Sequence, residues 1–442
     1  MIPVERMQFY AMMVGSILCV KTSRSSLNSV VPAMAADPSL GLSSAAQAAM
    51  LSSFYPGYLL TQLPAGPIVQ VLGGKGVMTM QLVGTAAIFL SIPAAMKKGG
   101  TAMVGVALTV LGLLQGPMSP SLSQMNRDWI PKDDPKERSL ALRMQGLAHT
   151  SAPMLAALVT PFLARGGWRR VFYGMGGVIG VFSALWALTV SGKPPIKRAL
   201  SAAVSGGDPA LGKQEPAVAP KPEETGPQVE WRILTLPSSV SLIFWQICSN
   251  MLFMILQQWG PTFYTTSLGC SQERAGLLLA AAQFVNFPAA LASTFIESRV
   301  LQLCGNDTLR MRKAMNMTGS VLDAVFALGY GLSRNAASAT LCYAGVMFSG
   351  QFHMSGAWPL FYEMGGRDVA TLSSVANTLA NVTGLVVPFI GVGLLQRFNS
   401  WVPLLAIAAA LKLVAGFWLS AAMSTQDGRE QLRLRAAASK AV

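Results

Sequence analysis

The sequence predicts an all-α membrane protein whose twelve transmembrane helices form two six-helix halves, and three observations carry that prediction. The 442 residues are 52% hydrophobic and only 12% charged, with a mean hydropathy of +0.45. A soluble globular chain has about twice that charged fraction. The apolar residues also come in continuous runs of about 20, the length a helix needs to cross the hydrocarbon core of a bilayer. A membrane β-barrel would show weak alternation instead. Finally, one long polar stretch, from Lys193 to Trp231, parts the runs six and six.

The runs fall at roughly 7–36, 45–69, 76–96, 101–126, 139–164 and 169–192, then 235–268, 273–298, 313–333, 337–361, 368–394 and 400–423. Span one reads MQFYAMMVGSILCV, then KTSRSS, then LNSVVPAM. Its polar middle could divide it, but about 30 residues suit one long helix lining an aqueous cavity. The divider after span six contains KPPIKR, GGDPALGKQEP and PKPEETGPQ, the composition of a linker. The expected organisation is therefore a six-helix bundle over 1–192, a linker over 193–232, a second bundle over 233–424 and a tail over 425–442. Such halves commonly hold a substrate site between them at the midplane.

The net charge of +14 and the isoelectric point near 9.8 do not indicate nucleic acid. The basic residues sit in short loops between apolar runs rather than on one face of a soluble fold. With both termini and the linker cytoplasmic, roughly 21 of the 33 Lys and Arg fall on that side against about 8 opposite, so this topology is expected. Arg127, Lys132, Lys136 and Arg138 before span five, and Arg299, Arg310, Arg312 and Lys313 before span nine, carry much of the bias. The Asn-x-Ser/Thr matches at Asn306, Asn316 and Asn381 then lie in a cytoplasmic loop or inside helices, and no glycosylation is expected. The five cysteines are too scattered for a disulfide framework or a metal site, and no cofactor is implied. The first apolar run continues into a full span rather than ending at a cleavage site, so insertion through that helix is expected.

Arg24 is the strongest single candidate. An arginine within a membrane helix costs at least ~2.5 kcal/mol and normally faces a cavity or a partner. Lys21 shares its helix face one turn earlier. Two cations without a carboxylate on the same span call for an external counter-charge, which an anionic substrate would supply through the planar fork of arginine. Asp323, in span nine, is the one acid that looks embedded; His149 in span five and His353 in span ten are the only histidines. These three are the candidates for ion coupling, although pairing or packing is the simpler expectation for each. The sequence holds no HExxH, no GxSxG and no cluster of Cys, His and Asp, which argues against an enzyme.

Several local motifs are more specific. SSFYPGYLLTQLPAG at 52–66 is similar to SSFFxGYxxxQxPGG, the second-helix pattern of the anion:cation symporter family of the major facilitator superfamily. GxxxGPMSP at 112–120, WIPKDDPKERS at 129–139 and GGWRRVFYGMGG at 166–177 resemble that family's fourth-to-sixth-helix signatures. WGPTFYTTSLGCSQERAGLL at 259–278 and RKAMNMTG at 312–319, followed by Asp323, resemble its second half, and Asn377, Gly384 and Pro388 keep the spacing of its eleventh helix. The resemblance covers about residues 10–420. It implies the major facilitator fold and transport of anionic solutes such as phosphate, carboxylates or acidic sugars by alternating access. It also implies anion contact for Arg24 and cavity-facing positions for Tyr58 and Asn250.

There are departures. Where the family reads R-x-x-x-G-x-x-E-G in the fourth helix, this chain has Leu108, Gly112, Gln115 and Gly116. Gln115 cannot exchange a proton, so uniport, exchange or Na⁺ coupling is expected before H⁺ symport, and Lys21 is the candidate to replace the lost cation. Gln70 and Val71 stand where the superfamily's Asp-Arg normally closes the loop between helices two and three, while Glu297 keeps the matching acid of the second half. A rival reading is a transporter-like sensor or scaffold that moves no solute.

Overall fold

The computed structural model describes residues 3–62, 64–130, 135–191 and 230–440, so nearly all of the linker expected at 193–232 lies outside the described residues. The polar-centred first span is one unbroken helix, α1 (Val4–Ala35). Span two is α2 (Ser44–Ser52) and α3 (Phe54–Gln62), separated by a turn at Ser53. Backbone hydrogen bonding then runs almost without pause through α4 (Ala65–Gln115), yet the chain reverses twice within it. Gly73 (φ 71°) and Gly100 (φ 58°) supply the left-handed backbone that these reversals require. Span three therefore occupies roughly 74–98, and span four runs from Thr101 into α5 (Met118–Trp129).

α6 (Pro135–Ala164) and α7 (Trp168–Thr189) complete the first six traverses. The second six are α8 (Pro237–Thr262); α9 (Gln272–Phe284) with α10 (Asn286–Leu303); α11 (Thr308–Leu332); α12 (Ala336–Gly356); α14 (Val369–Phe398); and α15 (Val402–Ala422). A short helix, α13 (Leu360–Gly365), follows α12. Among the described residues there is no strand, and the molecule is an all-α membrane protein. Among the described residues seven helical stretches, two of them joining neighbouring helices (α4 with α5, α9 with α10), are long and apolar enough to cross a membrane. α1, α11 and α12 fall outside that set because polar groups interrupt them, among them Lys21, Arg24, Asp323 and His353. α1 is one of the elements that line the central cavity.

At the end away from the termini the two sets of helices close on each other. Gln258 Nε2 donates to the Tyr55 hydroxyl (3.2 Å) and to the Gly384 carbonyl (3.1 Å), and Ser52 Oγ donates to the Leu385 carbonyl (2.9 Å). α9 meets α6 so closely that a Cβ on Gly276 would lie 2.2 Å from the Ala157 carbonyl oxygen. Small residues permit this kind of contact between membrane helices. Arg165 clamps Glu273 across the same seam at 2.5 and 2.9 Å. At the terminal end the two sets stand apart around a cavity of about 460 Å³, with Gln62, Ser119 and Ser123 on one wall and Gln246, Phe361 and Ser374 on the other.

The tail expected over 425–442 contains a docked helix, α16 (Gly428–Lys440). Arg429 holds Asp368 at 2.6 and 2.9 Å, the Glu230 amide donates to the same carboxylate, and Ser238 Oγ donates to Gln431 Oε1 (3.0 Å). The Arg429 guanidinium beside Asp368, with that amide, keeps its carboxyl below the usual carboxylate range. A depressed folded value means that the clamp contributes fully above the ordinary carboxylate range and is lost as pH falls through the depressed value. Protease cleavage within α16 is therefore expected to accelerate below pH ~4 and, at neutral pH, in Arg429→Ala. Equal cleavage rates in Arg429→Ala and wild type would show that the clamp does not hold the helix.

Candidate functional site

A cavity of about 250 Å³ lies between the two sets of helices. α1 lines it with Lys21, Arg24, Ser25 and Asn28, spaced i, i+3, i+4 and i+7 as one helical face requires. α3 adds Phe54, Tyr55 and Tyr58; α6 adds His149; α8 and α14 add Asn250, Gln257, Asn377 and Asn381. Lys21, Arg24, Tyr58, Asn250 and His149, singled out from the sequence, thus meet in one place.

The Arg24 guanidinium carbon lies 4.5, 5.1 and 5.0 Å from the ring centroids of Phe54, Tyr55 and Tyr58. Aromatic faces attract a cation without neutralising it, contributing about 0.5–2 kcal/mol each as desolvation increases. Among the described residues no Asp or Glu lines this cavity. The site therefore holds two positive charges and no internal counter-charge.

The facing wall is neutral and built of side-chain amides. Asn250 Nδ2 donates to the Ala380 carbonyl (2.7 Å) and to Thr383 Oγ1 (3.0 Å). A primary amide has two N–H donors, so both are engaged and the carbonyl oxygen remains to accept. Asn381 Nδ2 donates to the Asn377 carbonyl and Gln257 Nε2 to the Tyr343 hydroxyl. Cations on one wall and amide acceptors on the other suit a solute with an anionic end and a hydroxylated or amino end.

Asp323 and His353 are placed elsewhere, in a pocket of about 370 Å³ that shares Asn250, Phe253 and Asn377 with the central cavity. His353 Nε2 and Asp323 Oδ2 are 3.0 Å apart, and Lys412 Nζ approaches the same carboxylate oxygen at 3.1 Å. Ser349 Oγ also donates to Asp323, while Lys412 donates to Ser249 Oγ (2.5 Å) under the Trp245 ring. Lys412 escaped the sequence reading. Its only signal was a lone lysine in the middle of VPLLAIAAALKLVAGFWLSAA.

The fourth-helix departures point away from the cavity. Leu108 is buried in the core, and Gln115 Nε2 donates to Thr85 Oγ1 (3.1 Å) inside the first set of helices. Glu297 accepts from Ser355 Oγ at 2.6 Å, and Arg312 is closed on Glu363. Asn316, one of the Asn-x-Ser/Thr matches, is fully buried and donates to the Gly416 carbonyl.

Comparison with known proteins agrees with this architecture. The Major Facilitator Superfamily profile matches residues 13–388. The chloroplastic ascorbate transporter of Arabidopsis thaliana is 30% identical over 384 residues, covering 84% of this chain and 66% of that protein. A voltage-gated purine nucleotide uniporter of Rattus norvegicus is 26% identical over 356 residues, covering 80% and 75%. The chain thus spans just under two thirds of the plant relative's length. A D-xylose–proton symporter crystal structure superposes with a TM-score of 0.70 at 13% identity, covering 96% of this chain and 98% of the other, a likeness of fold alone.

Proposed function

The chain belongs to the Major Facilitator Superfamily, in its anion:cation symporter branch, and on that premise we propose that it carries a small hydroxylated organic anion, a carboxylate or an acidic sugar, by alternating access. The observation that supports this most directly is Arg24, held by three aromatic rings in a central cavity with no carboxylate. In this reading Arg24 and Lys21 take the anionic group, Tyr58 closes over it, and Asn250 accepts from a hydroxyl or amino group. Inorganic phosphate fits less well, because its monohydrogen form has a single hydroxyl to offer the carbonyl oxygens of Asn250, Gln257 and Asn381. The halves 1–192 and 233–424 would rock about the cavity, with the termini and linker cytoplasmic. The closed seam and the open terminal end fit one of the two states that alternating access requires.

The test is uptake into proteoliposomes of labelled phosphate, glutamate, glucuronate and ascorbate, with counterflow at symmetric pH. An organic hydroxylated anion is expected to be taken up and to out-compete phosphate. Uptake of phosphate without competition from the organic anions would overturn the substrate class. Failure to move any anion under any gradient would leave the sensor or scaffold reading instead.

A further inference from the structure

We propose that the buried cluster of Asp323, His353 and Lys412 is a proton site that releases a further anion-binding cation, Lys412, into the substrate path. The proton site stands on geometry alone; the role given to Lys412 rests on the anion-carrier reading above.

Two consecutive helices and a third more distant in sequence bring the cluster together: α11 supplies Asp323, α12 supplies His353 and α15 supplies Lys412. The three side chains are no more than 5% exposed. With Asp323 ionised, Lys412 charged and His353 neutral, the cluster carries no net charge. A carboxylate that already accepts from Lys412 and Ser349 can only accept from the imidazole as well, so Nε2 of His353 bears the hydrogen. Its Nδ1 is then the bare nitrogen, and it is buried without a hydrogen-bond partner. A buried acceptor with nothing to accept is costly; here it is also the vacant seat for a proton.

The surroundings define what that proton changes. α11 presents Asp323, and Gly319 lies against the imidazole edge. α8 presents the Trp245 ring, 5.1 Å from the imidazole and crossed against it, with Cys248 and Ser249 beside Lys412. α15 presents Lys412. Beyond Ser355, Arg312 and Glu363 neutralise each other. A proton on Nδ1 turns a neutral cluster into one with two cations sharing a single carboxylate. Asp323 then has a second cationic partner in hydrogen-bond contact, and its hold on Lys412 weakens.

The pocket of Lys412 adjoins the central cavity: Asn250, Phe253 and Asn377 line both. Lys412 would approach the substrate from the wall opposite Arg24, adding to Arg24 and Lys21 a cation from the second half of the chain. Charge balance closes: one proton enters the cluster, and one anionic group meets the ammonium it frees. The sequence alone set proton symport aside because Gln115 cannot titrate; the second half of the chain offers a group that can.

The 442-residue chain has two histidines, His149 and His353, so ¹³C,¹⁵N-histidine NMR in nanodiscs, assigned with His149→Gln, reads this site directly. As pH is lowered from ~8 to ~5 the His353 signals are expected to move toward the imidazolium form, to an extent that changes in Lys412→Met. In proteoliposomes an acidic source side should stimulate wild-type uptake several-fold. In His353→Gln the uptake that remains should ignore the gradient, and Lys412→Met should raise KM at least ~10-fold. A His353 that keeps one protonation state across that range, or a gradient response that survives His353→Gln, would overturn the proton site. An unchanged KM in Lys412→Met would overturn the anion-binding role of Lys412. Absence of wild-type counterflow at symmetric pH would count against the anion-carrier reading and with it the role of Lys412, while the NMR titration decides the proton site independently.

Discussion

Arg24→Ala is expected to lower uptake, as kcat/KM, by about 100-fold, the largest loss of any single substitution in the central cavity. A charge-assisted hydrogen bond contributes about 1.5–3 kcal/mol, and a forked pair to a carboxylate reaches the upper part of that range. Each 1.4 kcal/mol is tenfold, so the low end alone predicts more than tenfold and the forked geometry about a hundredfold. Lys21 does not compensate, because it sits a helical turn away on the same face and offers a point charge rather than a fork. Arg24→Lys is correspondingly expected to fall between wild type and alanine. The rings of Phe54, Tyr55 and Tyr58 stay packed on one another in either variant, with Phe54 and Tyr58 already stacked at 5.5 Å, so the protein should fold and elute normally. A KM for Arg24→Ala within about threefold of wild type would remove Arg24 from the site, since threefold is well under 1.4 kcal/mol.

Arg24 and α1 were legible in the sequence because both signals are local. A charged residue inside an apolar run is visible in one dimension, and helical spacing fixes which neighbours share its face. The motif glycines were also visible, but not their work. Gly57 and Gly112 allow α3 and α4 to touch backbone to backbone: a Cβ on either would come within about 2 Å of a carbonyl oxygen of the other helix. The Asp323 cluster could not be read in this way. His353 is 30 residues from its carboxylate, and Lys412 lies on a third helix, so no i+3 or i+4 spacing announces either contact. The expectation that Asp323 might simply pair with a base did name the kind of partner without finding it. The fourth helix was misleading in a different sense. The lost charges at Leu108 and Gln115 drew attention to positions whose side chains turn into the first set of helices rather than the cavity.

The largest stability effect is expected from Lys412→Leu, which leaves Asp323 ionised and buried with only His353 and Ser349 to hold it. Breaking a buried ion pair from one side costs about 3–5 kcal/mol in soluble proteins. In a membrane protein the figure should be smaller, because helices that come apart in detergent or lipid leave many polar groups in an equally apolar setting. Measured interhelical hydrogen bonds reflect this, averaging about 0.6 kcal/mol. Charge argues in the other direction. Separated helices let Asp323 reach water or headgroups, whereas the folded bundle traps it at 5% exposure. About 2–3 kcal/mol is therefore expected for Lys412→Leu, between the two limits. Asp323→Leu should cost a similar amount, somewhat reduced because Lys412 keeps Ser249 and the Trp245 face. The double variant, with neither charge to strand, should recover most of the loss, giving a coupling of at least ~1.5 kcal/mol in a thermodynamic cycle. Thermal unfolding of the four proteins in one detergent measures it. Additive losses in the double variant would mean that Lys412 and Asp323 are held by their helices rather than by each other, and an ammonium not held by the carboxylate could not be released by a proton arriving beside it.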